Sequence, residues 1–184
     1  MPKTAGDATC TMLRSVPGLV EFADPLDSED KHMPFFGREA EVQGKLLAMN
    51  IRRLPAWVIS AAQHRARHGV YPDYTPTPLA TREELSRSHE ADDLLRWMTD
   101  HGRFKVERWL RAERLQDDVI DFLAGLGELT DQARSAVSAV GRVNVGAYDP
   151  SLGELTDDQV ARLYQLNPGW AEVERRVYGE LPID

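Results

Sequence analysis

The sequence predicts an all-α fold, a single helical domain of about six to seven helices preceded by an extended N-terminal arm. Apolar residues recur at intervals of three and four through most of the chain, the spacing of amphipathic helices, and the alternation typical of strands is rare. Of the 184 residues 42% are hydrophobic, and four are Trp, which is enough to fill one ordinary core. The predicted fold therefore needs no metal ion or disulfide to hold it together.

The first 34 residues have no sustained apolar periodicity. They include the acidic stretch EFADPLDSED at residues 21–30 and four prolines, Pro2, Pro17, Pro25 and Pro34. Such a composition favours an extended arm or a few short turns over a packed element. We therefore expect an acidic N-terminal arm at 1–34 and the all-α domain at 35–184.

Two helices are predicted at the start of the domain. The segment GREAEVQGKLLAMNI at 37–51 carries helix-spaced apolar side chains and predicts a helix that ends near Arg53. A second helix starts with Pro55, a residue favoured in the first turn. It ends at Gly69, with His and Arg in its last turn. The proline-rich segment VYPDYTPTPL at 70–79 then forms a loop.

The next two predicted helices form a central hairpin. Thr81 and Glu84 match a capping box, and the helix that they open ends at Gly102. The segment 103–124 has the longest run of helix-spaced apolar residues in the chain.

The string Gly-Glu-Leu-Thr-Asp occurs twice, 26 residues apart, and marks two further helix starts. Thr130 and Thr156 are the predicted N-caps, each followed by acidic residues in the first turn. A short extended piece is predicted at 143–145, in the loop between these helices, and a final helix is predicted from Pro168 to Gly179.

The C-terminal hairpin at 154–180 contains ELTDDQVARLYQLNPGW, which resembles the first helix and turn of a DNA-reading helix-turn-helix. With Ala161 at the small-residue position of that motif, an expected apolar position falls on Glu174. A shifted frame gives a better amphipathic helix, with Trp170, Val173 and Val177 inward and Glu172, Glu174, Arg175 and Arg176 outward. The sequence therefore favours a structural hairpin, with DNA reading as a weaker alternative.

The charge is unevenly distributed along a chain of net charge −8. No Asp or Glu occurs from Val42 to Pro72, and this stretch carries five cations, Lys45, Arg52, Arg53, Arg65 and Arg67. They are candidates to bind a nucleic-acid backbone or an acidic protein partner. The alternative is internal neutralisation, by the acidic residues of the helix that starts after Thr81 or by the acidic arm.

Chemistry-bearing motifs are few. His64 and His68 are four residues apart on one predicted helix, a spacing that can hold a metal ion, but no third ligand follows in the sequence. His89 and Asp93 form a pair of the same spacing, which is typical of an exposed helix face. The single Cys10 suits a reducing compartment. We predict no cofactor and assign no catalytic residue.

These observations favour a non-catalytic protein–protein interaction subunit, such as an adaptor, an inhibitor or an accessory component of a larger cellular or viral assembly. One alternative is a nucleic-acid-binding regulator that uses the basic 42–72 pair or the C-terminal hairpin. A second is a metal-dependent enzyme that uses His64 and His68. Since the sequence has neither a signal-peptide pattern nor a long apolar run, we expect a cytoplasmic protein or virion component without a membrane partner.

Overall fold

The computed structural model describes residues 4–20, 39–69, 78–141, 143 and 152–184. Most of these residues are helical, which confirms the predicted class in its coarse form, and the exception is one two-stranded sheet. In chain order the elements are α1 (Gly6–Ser15), α2 (Glu39–Val42), β1 (Ala48–Ile51), α3 (Leu54–His68), α4 (Arg82–Ser86), α5 (Glu90–Met98), β2 (Arg108–Arg111), a 3₁₀ helix (Ala112–Arg114), α6 (Leu115–Leu126), α7 (Asp131–Ala139), α8 (Asp157–Leu166) and α9 (Pro168–Tyr178).

The chain forms two compact units, each built from two separate segments. Unit 1 combines Met1–Ile51 with Met98–Gly146, and unit 2 combines Arg52–Trp97 with Ala147–Asp184. The predicted boundary between arm and domain, after residue 34, lies outside the described residues and stays a prediction. So does the structure of the acidic stretch 21–30.

Unit 1 has its core between α1, α6 and α7. The core side chains are Met12, Val16, Leu110, Leu115, Val119, Leu123, Ala133 and Val137. The extended arm is not confirmed, because α1 is a packed helix within it. Ala8 and Met12 of α1 and Val16 directly after it are four residues apart, and all three belong to this core or pack against it. The apolar pattern is too short to predict a helix between the flanking prolines.

The sheet of unit 1 corrects two helix predictions. β1 and β2 are parallel, with Ala48 opposite Arg108 and Ile51 opposite Arg111. The helix predicted to end near Arg53 stops at Val42, and Gly44 follows with a φ of +71° that ends regular helix. The helix predicted at 103–124 begins only at Leu115. Short apolar runs are ambiguous in sequence, and here the pairing of two strands 60 residues apart decides the outcome.

A buried ion pair fastens β2 to α6. Asp118 accepts hydrogen bonds from the backbone N–H of Arg111 at 2.7 Å and from its guanidinium at 2.5 Å. Although burial alone would raise it, the pKa of Asp118 is held below its ordinary value by these hydrogen bonds from Arg111. Unit 1 therefore has a charged clamp beside its apolar core.

Unit 2 packs α3, α4, α5, α8 and α9. Trp57 of α3 and Trp170 of α9 lie with ring centroids 5.2 Å apart, and Leu54 of α3 and Leu163 of α8 are also fully buried. The predicted helix from Pro55 is confirmed as α3, and the predicted final helix as α9. Aromatic and aliphatic packing thus joins segments more than a hundred residues apart.

The predicted helix starts are confirmed at all three threonines. The hydroxyls of Thr81, Thr130 and Thr156 each accept a hydrogen bond from the backbone N–H three residues on. The helix that Thr81 opens is shorter than expected, because α4 ends at Ser86 and α5 starts at Glu90. The extended piece predicted at 143–145 lies largely outside the described residues. Of the helices described, none is long and apolar enough to span a membrane.

Candidate functional site

The five predicted cation positions are divided between the two units. Lys45 is an exposed residue of unit 1, whereas Arg52, Arg53, Arg65 and Arg67 belong to unit 2. Within unit 2, Arg67 is exposed and the other three are half-buried. The five cations therefore have different surroundings.

Arg53 is engaged within unit 2. Its guanidinium donates to Glu174 at 3.1 Å and to the carbonyl of Glu180 at 2.6 Å, and it lies 4.1 Å from the centre of the Tyr178 ring. Only a quarter of the side chain is exposed. Its charge mainly compensates a buried carboxylate.

Arg65 pairs with an acid of the following helix, as the internal-neutralisation alternative predicted. Its guanidinium donates to Glu90 of α5 at 2.7 Å, and both side chains are partly exposed. Arg67 donates to the side-chain oxygen of Gln63 at 3.3 Å. Part of the positive charge of the acid-free stretch is thus used inside unit 2.

His64 and His68 lie side by side at the C-terminal end of α3. Both are exposed, and their ring centroids are 4.8 Å apart with the planes tilted by 40°. Over the part of the chain that the structure describes, no group of three or more His, Cys, Asp and Glu residues is placed to hold a metal ion. The two histidines are therefore adjacent, as predicted, and within the described residues no third ligand joins them.

Unit 2 contains a buried carboxylate that the sequence pattern did not predict. Glu174 was expected to point outward, and this is wrong, because the residue is fully buried. Its carboxylate accepts from the Tyr164 hydroxyl at 2.6 Å, the Leu54 N–H at 3.0 Å and Arg53 at 3.1 Å. The neighbouring Trp170, four residues earlier, is buried as predicted.

These contacts join three helices at one carboxyl group. Burial raises the pKa of Glu174 above its ordinary value, against the opposing effect of its hydrogen bonds from Tyr164, Leu54 and Arg53. Burial and the adjacent carboxylate also raise the pKa of the Tyr164 phenol. Because every neighbour donates to Glu174, the group serves to hold α9 against α3 and α8.

A second buried polar cluster links the starts of α5 and α9. Asp92 accepts from the backbone N–H groups of Gly169 at 2.9 Å and Trp170 at 2.6 Å, in the first turn of α9. In return, Asn167 accepts from the Asp92 N–H at 3.1 Å and donates to the Ser88 carbonyl at 2.7 Å. Each helix thus receives its N-terminal cap from the other.

The C-terminal hairpin is tight and rigidly held. Asn167 alone separates α8 from α9, and its side chain also donates to the Leu163 carbonyl at 2.8 Å. On the outer face of α9, Arg175 pairs with Asp184 at 3.0 Å. The hairpin therefore uses its central residue and one of its outer cations for internal contacts.

An aromatic side chain stands out on the surface of unit 2. Trp97, near the end of α5, is 43% exposed. On the same helix Asp93 forms an ion pair with Arg96 at 2.5 Å, and its carboxylate lies 3.3 Å from the ring nitrogen of His89; all three side chains are exposed. The pair of His89 and Asp93 is thus the exposed helical pair that the sequence indicated.

No protein-family model matches the chain, and neither a curated protein nor a solved structure matches it.

Proposed function

We propose that the chain is a non-catalytic protein–protein interaction subunit that docks on a protein partner through helix α5. The observation that carries this proposal is Trp97, a large aromatic side chain with 43% of its surface exposed. Trp is among the residues most enriched at binding hot spots, where one aromatic anchor supplies a large share of the affinity.

The surroundings of Trp97 have the chemistry of an interface rim. Asp93 lies one helical turn before it, Arg96 precedes it directly, and these two exposed side chains form an ion pair with each other. Charged residues around an aromatic centre are typical of protein interfaces, in which the rim stays partly solvated. The mixed signs favour a partner that offers both donors and acceptors.

The inner side of α5 supports the proposal through rigidity. Ala91 and Asp92 are buried, and the start of the helix is capped by Asn167, itself fully buried. A docking helix that is already fixed loses little conformational entropy on binding. The mutual caps of α5 and α9 therefore favour a pre-organised anchor over a segment that folds on contact.

The test uses the purified full chain, immobilised and exposed to extract of its native cell, in parallel with size-exclusion chromatography and light scattering. Trp97→Ala is compared with Leu166→Ala, a variant of another exposed apolar residue, 42% exposed, in the same unit. We expect a partner that the wild type and Leu166→Ala retain and that Trp97→Ala binds about 30-fold more weakly. A strictly monomeric protein without a partner, or full retention by Trp97→Ala, would overturn the proposal.

The contacts of the basic residues weaken the nucleic-acid alternative. Arg53, Arg65 and Arg175 each form an ion pair within unit 2, whereas phosphate contacts require positive charge that is available to the ligand. A binding assay over a range of salt concentrations discriminates between the two functions. Affinity for nucleic acid that falls steeply with salt would favour the regulator over the interaction subunit.

A further inference from the structure

We propose that His64 and His68 form a two-histidine chelate for a borderline transition-metal ion, Zn²⁺ or Cu²⁺, on the surface of α3. The two imidazoles are exposed, one helical turn apart, and their ring centroids are 4.8 Å apart. This binding site is independent of the docking role proposed for Trp97.

The distance between the rings fits one shared ion. A Zn–N bond is about 2.1 Å, and an imidazole ring centre lies about 1.1 Å beyond the bonded nitrogen, which places it about 3.2 Å from the metal. Two such rings are then about 5.2 Å apart at a tetrahedral angle and about 4.5 Å apart at a right angle. The observed 4.8 Å lies between these values.

The local electrostatics favour a cation at this end of the helix. His68 is the last residue of α3, where unpaired carbonyls give the helix terminus a partial negative charge. Two arginines lie between the histidines in the sequence, and Arg65 is paired with Glu90. Arg67 donates to Gln63 and is the cation that reduces the affinity of the site.

The ligand number sets the character of the site. Structural zinc sites use four protein ligands, whereas this pair supplies two, so water completes the coordination and the ion exchanges readily. Both ligands must be neutral imidazoles, since a protonated ring cannot coordinate a metal.

The experiment is a Cu²⁺ titration of the full chain, followed by calorimetry and electron paramagnetic resonance. We expect one equivalent of Cu²⁺ with the nitrogen hyperfine pattern of two imidazoles, and a loss of affinity of at least about tenfold in His64→Ala and in His68→Ala. His89→Ala is the matched control, because this exposed histidine directly precedes helix α5 and contacts Asp93, four residues further on, instead of a second histidine. We expect that variant to bind as the wild type does.

The paramagnetic resonance spectrum identifies the nitrogen ligands of Cu²⁺ even if the affinity for the ion is modest. A pattern without two coupled nitrogens, an unchanged affinity in the double variant His64→Ala/His68→Ala, or an equal loss in His89→Ala would overturn the proposal. Circular dichroism of each variant confirms that the exposed substitutions leave the fold intact.

Discussion

Removal of the buried carboxylate in Glu174→Ala is expected to destabilise unit 2 by about 3–4 kcal/mol. The wild-type group has three donors, namely Tyr164, the Leu54 N–H and Arg53. Tyr164 and Leu54 are buried, so their donors would be left without an acceptor at a cost of about 1–3 kcal/mol each.

Two terms reduce that sum. Arg53 is partly exposed and keeps the carbonyl of Glu180, so its guanidinium adds little to the loss. Burial of the wild-type carboxylate is itself unfavourable, as the raised pKa of Glu174 indicates, and its removal recovers part of that cost. Glu174→Gln keeps the volume and one acceptor oxygen, and we expect a loss of only about 1–2 kcal/mol.

Urea unfolding followed by tryptophan fluorescence and circular dichroism measures these differences. With a slope of about 2 kcal/mol per molar urea, the midpoint should fall by roughly 1.5–2 M in Glu174→Ala and by less than 1 M in Glu174→Gln. Glu172→Ala, an exposed acid on the same helix, is the control and should leave the midpoint unchanged. A Glu174→Ala midpoint within about 0.3 M of the wild type, or a glutamine variant as unstable as the alanine variant, would refute the reasoning.

The remaining predictions concern the other buried polar contacts. The pKa of Asp118 is lower in the folded state, so its contribution to the free energy of unfolding is complete above the unfolded pKa of about 3.9 and is lost as the pH falls below that value. Asp118→Asn should lower the free energy of unfolding by about 1–3 kcal/mol at pH 7. It should also flatten the acid side of a curve of stability against pH, measured by urea titrations. Gly169→Ala places a Cβ 3.2 Å from Asp92 and should lower the thermal midpoint, whereas Gly125→Ala, with no atom within 4 Å, should raise it. Asn167→Asp puts a second carboxylate beside Asp92 and removes two donated hydrogen bonds, so calorimetry should show a loss of about 2–4 kcal/mol; an unchanged unfolding temperature would contradict the mutual-cap arrangement.

Features encoded by neighbouring residues were predictable. The caps at Thr81, Thr130 and Thr156 require only a side chain and a backbone N–H three residues away, and each was recognised from the sequence. The limits of α3 and α9 followed in the same way from a proline near the start and a glycine after the end.

Features that depend on distant partners were not predictable from periodicity. β1 and β2 are four residues each, and their strand conformation depends on pairing across 60 positions. Glu174 is a glutamate on an otherwise amphipathic helix, so its charge indicated the surface. The four-residue spacing from Trp170 was the available signal for burial, and the hydrogen bonds donated by Tyr164, Leu54 and Arg53 make that burial tolerable.

The candidate site shows the same division. Sequence spacing placed His64 beside His68 correctly, because both are on one helix. The pairing of Arg65 with Glu90 was one of several open alternatives, and the pairing of Arg53 with Glu174 was not foreseen, since their partners lie 25 and 121 residues away. Charge composition alone does not reveal which cations are already compensated.

The interleaving of the two units has a consequence for synthesis on the ribosome. Residues 52–97 emerge before unit 1 has received its second segment, and unit 2 is complete only when residues 147–184 follow. At about 5–20 residues per second, α3, α4 and α5 wait roughly 4–17 seconds for α8 and α9. During that interval the ring of Trp57, which Trp170 of α9 later contacts, is open to chaperones, and a chain halted midway leaves both units unfinished.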